Sequence, residues 1–398
     1  MNKKTWRITP LDSWFFRESR PMESIGGSEL GSVFPPPTRT LIGAIRTAIG
    51  NHHNVDWVSY ETDPKFEKLR DQIGVDDDFK SIKVHGVWLS QKKGANWKRL
   101  FPAPRNLVYT QKAGKMSEVI RLQVGQARYC DLGQKVRMAV APNGISGING
   151  VENHWVNEET LASVLNGRDI SSGVIISSQE LYEEEPRLGI ARDNQIRNVE
   201  EGRLYQTRHI RMKPGVAVEI DVSGIDESFI PPSGILRLGG EGRGAAFEVI
   251  DNTSVNIKLE KEQSQVSGLI VTLLAPMYVE QDQSSYTPFP GFKKMETDKQ
   301  TVWKGHINGK SYSLHCAVIG KPMREGGWSM QKKQPRQVRS LIPPGSVFYL
   351  TPEELDPIEA IDKIHMTQLD GNKIDNALGY GLVAAGIWNE SNVAKEEI

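Results

Sequence analysis

Residues 236 to 250 read L-R-L-G-G-E-G-R-G-A-A-F-E-V-I, with four glycines between Gly239 and Gly244. At Gly239, Gly240, Gly242 and Gly244 no Cβ restricts φ, so the backbone can turn sharply and approach a ligand closely. Consecutive amides in such a run can form a concave anion site. Arg243 adds a permanent cation whose planar fork suits phosphate. The residues that follow, Ala245 to Ile250, read as a buried strand. A glycine loop that feeds a strand differs from one that feeds a helix and sets a phosphate on the helix N-terminus. That order disfavours a mononucleotide site and favours a loop that grips an RNA backbone; a plain surface turn is the bland alternative.

The chain has 398 residues, enough for two domains and a substantial core. A hydrophobic share of 38% and a charged share of 25% fit a globular protein. Mean hydropathy is −0.44, and no apolar run approaches the ~20 residues that cross a bilayer. The N-terminus has basic residues but no apolar segment after them, so no secretory signal is expected. Cys130 and Cys316 form no C-x-x-C pair, which points to a reducing, cytoplasmic setting and away from zinc. Lys+Arg and Asp+Glu balance at 49 each. A freestanding nucleic-acid binder usually carries positive excess, so if this chain binds RNA its basic surface must be local, with the acidic remainder left to face partners.

Along the chain, Trp6, Ile8, Trp14, Phe15 and Phe16 supply β-favouring bulk to an opening strand, with Pro10 marking an edge or bend. F-P-P-P-T-R-T-L-I-G-A-I-R-T-A-I-G predicts a helix with Thr38 as N-cap, Leu41, Ile42, Ile45 and Ile49 on one face, and Gly50 at its end. Residues 51 to 80 read as a polar insertion, and 82 to 205 as short strands and long loops with a helix at Glu158 to Leu165. Val216 to Val222 alternates as a strand. The second half echoes the first: 271–280 resembles the opening strand, 339–350 resembles 208–220, and 378–388 resembles 236–250, in matching order. Two copies of one α+β unit are expected, covering 1–255 and 265–398.

Seven segments in order carry a family resemblance: L-D-S-W-F-F-R-E-S-R-P, F-P-P-P-T-R-T-L-I-G-A-I-R-T-A, E-P-R-L-G-I-A-R, G-R-L-Y-Q-T-R-H-I-R, L-G-G-E-G-R-G-A-A-F-E, G-K-P-M-R-E-G-G-W and L-G-Y-G-L-V-A-A-G. The chain resembles the RAMP superfamily, and within it subunit three of the type III-B CRISPR Cmr effector complex. The resemblance implies an α+β fold of two ferredoxin-like (RRM-like) domains with antiparallel sheets, the glycine-rich loop preceding the last strand of the first. It implies a scaffold that does not cut RNA, holds the crRNA 5′ tag, and docks on the large polymerase/cyclase-like subunit and a neighbouring RAMP backbone subunit in antiviral defence. Residues 51 to 80 and 106 to 170 match none of these segments.

Gripping a backbone takes cations and amides; holding single-stranded RNA also takes flat groups for splayed bases. K-P-M-R-E-G-G-W places Lys321, Arg324 and Trp328 around a Gly-Gly bend, and Lys332, Lys333, Arg336 and Arg339 follow. A second basic stretch holds Arg203, Arg208, Arg211 and Lys213. Arg208 and Arg211 are an odd number apart and face opposite sides of a strand, so at most one meets RNA on a sheet platform. The other is left for Glu183 to Glu185 or Glu200 and Glu201. Arg17, Arg20, Arg39 and Arg46 flank the first strand and helix. Arg39 lies in the first helical turn, which favours phosphate; Arg46 fits a phosphate contact or a buried ion pair equally well.

Catalysis finds thin support. The histidines form no metal-spaced set, and no metal or other cofactor is expected. A metal-independent RNA cut needs a base near the 2′-OH and an acid at the leaving oxygen. His52 and His53 are the pair a crRNA-processing endonuclease of the same superfamily would use, and that is the alternative reading. His315 and Cys316 read as core, and Asp76-Asp77-Asp78 lacks calcium-loop spacing. Trp88 and Trp97 flank a basic hairpin tip that is either a stacking arm or a plain surface hairpin.

Overall fold

The computed structural model describes residues 3–19, 28–131, 133–142, 144–192, 199–251, 255, 257–260, 266–279, 287–297 and 300–390. It is a mixed α+β protein, rich in strand, with antiparallel sheets. The chain divides into two compact units that interleave in sequence: 1–99, 178–254 and 324–340 form one, and 100–177, 255–323 and 341–398 the other. One crossing, at 254/255, lies at the polar stretch where the sequence changes character; the remaining crossings have no compositional mark.

In the first unit, strand Lys4–Pro10 is central. It pairs antiparallel with Val216–Ser223 on one side (Trp6 opposite Ile220) and with Gly244–Asp251 on the other (Trp6 opposite Val249). Lys83–Lys93 extends the sheet beyond Val216–Ser223, and Ser233–Arg237 extends it beyond Gly244–Asp251. Pro10 thus ends a central strand; it does not mark an edge. Trp14, Phe15 and Phe16 lie outside that strand. Trp14 exchanges backbone hydrogen bonds with Ile210 (2.9 and 2.7 Å), and all three aromatics are buried. Helix Thr38–His52 buries the predicted face of Leu41, Ile42, Ile45 and Ile49. Thr38 is its first helical residue and not its cap: extended Pro37 precedes it and no side chain caps the end, as suits a helix entered from a proline run. Residues 51 to 80 are not a loose insertion. They hold helix Glu67–Ile73 and bury Tyr60, Phe66, Leu69, Ile73 and Phe79.

The second unit repeats the central arrangement. Strand Gly268–Leu273 is flanked by Val347–Pro352 and Leu382–Trp388, both antiparallel, with Lys310–Val318 beyond the former. Leu269, Val271, Phe348, Leu350, Val383 and Ala385 pack with Ile361 and Ile364 of helix Pro357–Ile364 in one core. The echoed segments occupy equivalent places. Gly215 (φ 76°) and Gly345 (φ 82°) each turn the chain just before the flanking strand, and Gly239 (φ 83°) and Gly381 (φ 76°) each precede the last strand. Only glycine takes such φ values without strain, which is why this punctuation was readable. Helix Glu158–Leu165 forms where the sequence places it, capped by Asn157, whose side chain accepts from the Thr160 amide at 2.8 Å.

Candidate nucleic-acid interface

Alternation along Lys4–Pro10 sends Trp6 and Ile8 to one face of the first unit's sheet and Thr5 and Arg7 to the other. The second face is filled by charge. Arg99 donates to Glu219 Oε2 (2.8 Å) and to Asp221 Oδ1 and Oδ2 (2.7 and 2.8 Å). Arg7 donates to Glu219 Oε1 (2.9 Å) and lies over the Trp97 ring at 4.7 Å. Trp88 Nε1 donates to Asp221 Oδ2 at 3.1 Å. Glu219 and Asp221 are 1% and 2% exposed, so bases cannot stack across this face, and Trp88 is core and no stacking arm. Beyond this face, the unit presents loops and hairpins at the sheet's rim.

The glycine loop is one such element. Gly239 (φ 83°) lies so close beneath Phe15 that a Cβ would stand 2.6 Å from the Phe15 carbonyl oxygen. The Gly240 amide donates to that carbonyl at 2.7 Å, so it is not free for an anion. Glu241 takes φ 58°, and Gly242, at φ 63°, faces open space. Gly244 begins the following strand. Arg243 is mostly buried and pairs with Glu241 (2.9 Å) and Asp12 (3.3 Å).

Strands Tyr182–Arg192 and Val199–Met212 form a long antiparallel hairpin in which Glu185 faces His209 and Arg187 faces Thr207. Arg208 and Arg211 point to opposite faces, as their spacing requires, and both are engaged. Arg208 pairs with Glu29 and Glu184, and Arg211 with Glu185 and Asp12. Lys213 pairs with Glu183. The arginine beside Asp12, Arg211 foremost, holds its carboxyl below the usual range, as Arg211 and Arg187 do for Glu185. Between hairpin and loop lies His209, fully buried, stacked on Phe15 with ring centroids 5.2 Å apart and its Nδ1 3.2 Å from Ser13 Oγ. Burial lowers its pKa.

A third cluster surrounds the acidic run. Arg39 pairs with Asp77. Arg46 donates to the Asp76 carbonyl at 2.8 Å and lies over the Phe79 ring at 5.4 Å. Arg336 donates to Asp77 (2.5 Å) and Asp76 (2.7 Å). The run Asp76–Asp78 is thus a counter-charge for arginines. These bonds hold segment 324–340, in which Trp328–Ser329 pairs with Gln334–Pro335 as a small hairpin. Trp328 is 56% exposed on it. Arg324 in the same segment and Lys321, which belongs to the second unit, are also exposed. Arg17 is exposed and bridges Ser32 through its backbone. Arg20 lies outside the described residues, and the Arg203 side chain likewise.

The residues missed by sequence reasoning are Arg187, Asp12 and Arg336's acidic partners. Arg187 sits in a quoted segment, E-P-R-L-G-I-A-R, but only the hairpin register sets it beside Arg211. His53 Nε2 lies 3.1 Å from the Phe229 carbonyl oxygen, and the two adjacent rings are 5.1 Å apart, nearly perpendicular. Among the described residues no helix is long and apolar enough to cross a membrane, and no cluster of His, Cys, Asp and Glu suited to a metal ion occurs.

Against known structures, the chain is similar to a chain of the type III-B Cmr-beta complex bound to cognate target RNA, at 14% identity and TM-score 0.48, over 97% of this chain and 99% of that one. A chain of the same complex with target RNA and AMPPnP gives 14% identity and TM-score 0.46 over 90% and 88%. A chain of the Csm1-Csm4 cassette in complex with AMPPNP gives 10% identity and TM-score 0.30 over 86% and 98%. No curated protein sequence matches the chain. Residues 6–388 match the family described as CRISPR-associated protein (Cas_Cmr3), and since that match spans nearly the whole sequence, the chain belongs to the Cas_Cmr3 family.

Proposed function

We propose that this chain is a non-catalytic RNA-binding scaffold of a type III-B Cmr complex. In this role it holds the 5′ tag of the crRNA and docks on the large polymerase/cyclase-like subunit and a neighbouring RAMP backbone subunit, in cytoplasmic antiviral defence. The observation that carries the reading, beside family membership, is Trp328. It is 56% exposed on a basic hairpin braced by Arg336 against Asp76 and Asp77. An indole held in solvent by a fixed ion-pair anchor is a surface for a splayed base, and such stacking contributes about 1–3 kcal/mol per base. The strand order of both units, with the opening strand between the third and the last, supports two ferredoxin-like domains with a glycine-rich loop before the last strand of the first. The charge-filled sheet face supports contact through loops instead of a flat platform.

The processing-endonuclease alternative rests on His52 and His53. His53 is turned toward the Phe229 carbonyl, which leaves His52 without a paired acid or base beside it in sequence. The test is binding and cleavage of a labelled crRNA bearing its 5′ tag, by the chain alone and with the large subunit. Wild type, Trp328→Ala, Arg243→Glu and the double change His52→Ala/His53→Ala run together across a salt series. Intact RNA whose tag-dependent binding weakens in the first two variants supports the scaffold. Cutting abolished by the histidine pair makes this a nuclease. Binding indifferent to both Trp328→Ala and Arg243→Glu removes RNA from both elements.

A further inference from the structure

Asp12, in the loop leaving the opening strand, stands among three guanidinium groups. Its Oδ1 accepts from Arg211 Nη2 at 2.9 Å, while Oδ2 is shared by Arg187 Nη2 at 3.2 Å and Arg243 Nη1 at 3.3 Å. Charge-assisted N–H···O bonds run at about 2.7–2.9 Å, so two of the three are long. A planar carboxylate with two oxygens cannot meet three converging forks well. Arg243 keeps a further sign of the mismatch: its Nε–H is buried and has no hydrogen-bond partner. The cluster is neutral, with Asp12, Glu185 and Glu241 against Arg187, Arg211 and Arg243. Asp12, Arg211 and Glu241 form its outward side, with 48%, 44% and 41% of their side chains exposed against 23% for Arg243. Arg208, on the opposite hairpin face, takes no part.

We propose that Asp12 is a resident anion that keeps the place of one RNA backbone phosphodiester, and that binding exchanges carboxylate for phosphate on Arg187, Arg211 and Arg243. A tetrahedral phosphate presents its oxygens in more directions than a carboxylate and suits three forks. A phosphodiester arriving while Asp12 stays would leave the cluster negative, so the carboxylate acts as a built-in competitor that weakens non-cognate anions. This deepens the RNA-binding reading and rests on it.

The test measures equilibrium binding of tag-bearing RNA by the full chain for wild type, Asp12→Asn, Asp12→Ser, Arg187→Gln and Arg243→Glu, with a melting temperature for each. The expected result is that both Asp12 variants bind about fivefold tighter, on the scale of a partly exposed ion pair, and that Arg187→Gln and Arg243→Glu bind more weakly. If Arg243→Glu weakens binding but the Asp12 variants bind equally or less well, with or without a lower melting temperature, Asp12 is a structural clasp. The exchange is then overturned while RNA binding stands. If neither Arg187→Gln nor Arg243→Glu changes affinity, the loop does not bind RNA and the exchange is overturned, while the RNA-binding reading is left to Trp328 alone. Tag RNA with a 5′-hydroxyl and with a 5′-phosphate separates the two phosphate sources: a gain on Asp12→Asn confined to the 5′-phosphate form overturns the phosphodiester assignment.

Discussion

The Gly240 amide donates to the Phe15 carbonyl at 2.7 Å, which staples the loop carrying Arg243 to the aromatic run behind the opening strand. Close approach is the reason for the neighbouring glycine. Gly239→Ala places a methyl 2.6 Å from that carbonyl at φ 83°, and should destabilise the fold by about 2–3 kcal/mol. Gly242→Ala, at φ 63° with open space, should cost only the backbone term of about 1 kcal/mol. Urea denaturation of both variants checks the order; equal losses would remove the steric argument.

Arg99 is the buried cation that answers two buried carboxylates. Arg99→Met strands Glu219 and Asp221 without their shared partner, and breaking a buried pair this way costs about 3–5 kcal/mol. The loss should shrink when Glu219→Gln and Asp221→Asn accompany it, as chemical denaturation of the single and triple variants would register.

Segment 324–340 is tied down by Arg336 on Asp76 and Asp77. Arg336→Ala should leave the rest of the fold intact while exposing this segment, seen as faster tryptic cleavage after Lys332 or Lys333. Unchanged cleavage would mean that Ser329, which donates to Asp76 at 3.2 Å, suffices as an anchor.

Acid should weaken the protein before its carboxylates titrate. Burial lowers the pKa of His209, His315 and His365 below the ordinary 6.5. Below that value the unfolded chain binds protons that these folded histidines refuse, so stability is whole above 6.5 and falls as pH drops beneath it. Denaturant midpoints measured on either side of 6.5 give the sign; a midpoint that rises on acidification contradicts it.

The two thiols should differ in reactivity. Cys316 is 2% exposed with its thiol pushed up to about 12 by burial, and thiolate is the reactive form. Cys130 is partly exposed. Iodoacetamide on the native chain should modify Cys130 first, with Cys316 appearing only on unfolding; mass spectrometry of peptides distinguishes them.

Several features were legible because they depend on neighbours in sequence. The apolar spacing of Leu41, Ile42, Ile45 and Ile49 names a helix face, and Gly215, Gly345, Gly239 and Gly381 mark turns that need positive φ. The repeated order of such signals pointed to two copies of one α+β unit; that the opening strand of each lies between two antiparallel partners came from the structure. Arg208 and Arg211 were correctly set on opposite faces by strand period alone.

What the tertiary structure decided is which charges meet. A formal charge says nothing of its partner, because the partner is brought near by strand register and chain return: Asp12 reaches Arg211 across 199 residues, and Arg336 reaches Asp76 across 260. The same holds for the interleaved units, since segments 100–177 and 324–340 carry no compositional mark of where they pack. The sequence by itself determined the helix face, the turns, the repeat and the family; long-range pairing decided which acid each arginine meets. Electrostatic partnership is a property of distance in space, which sequence spacing records only within a helix or along a single strand.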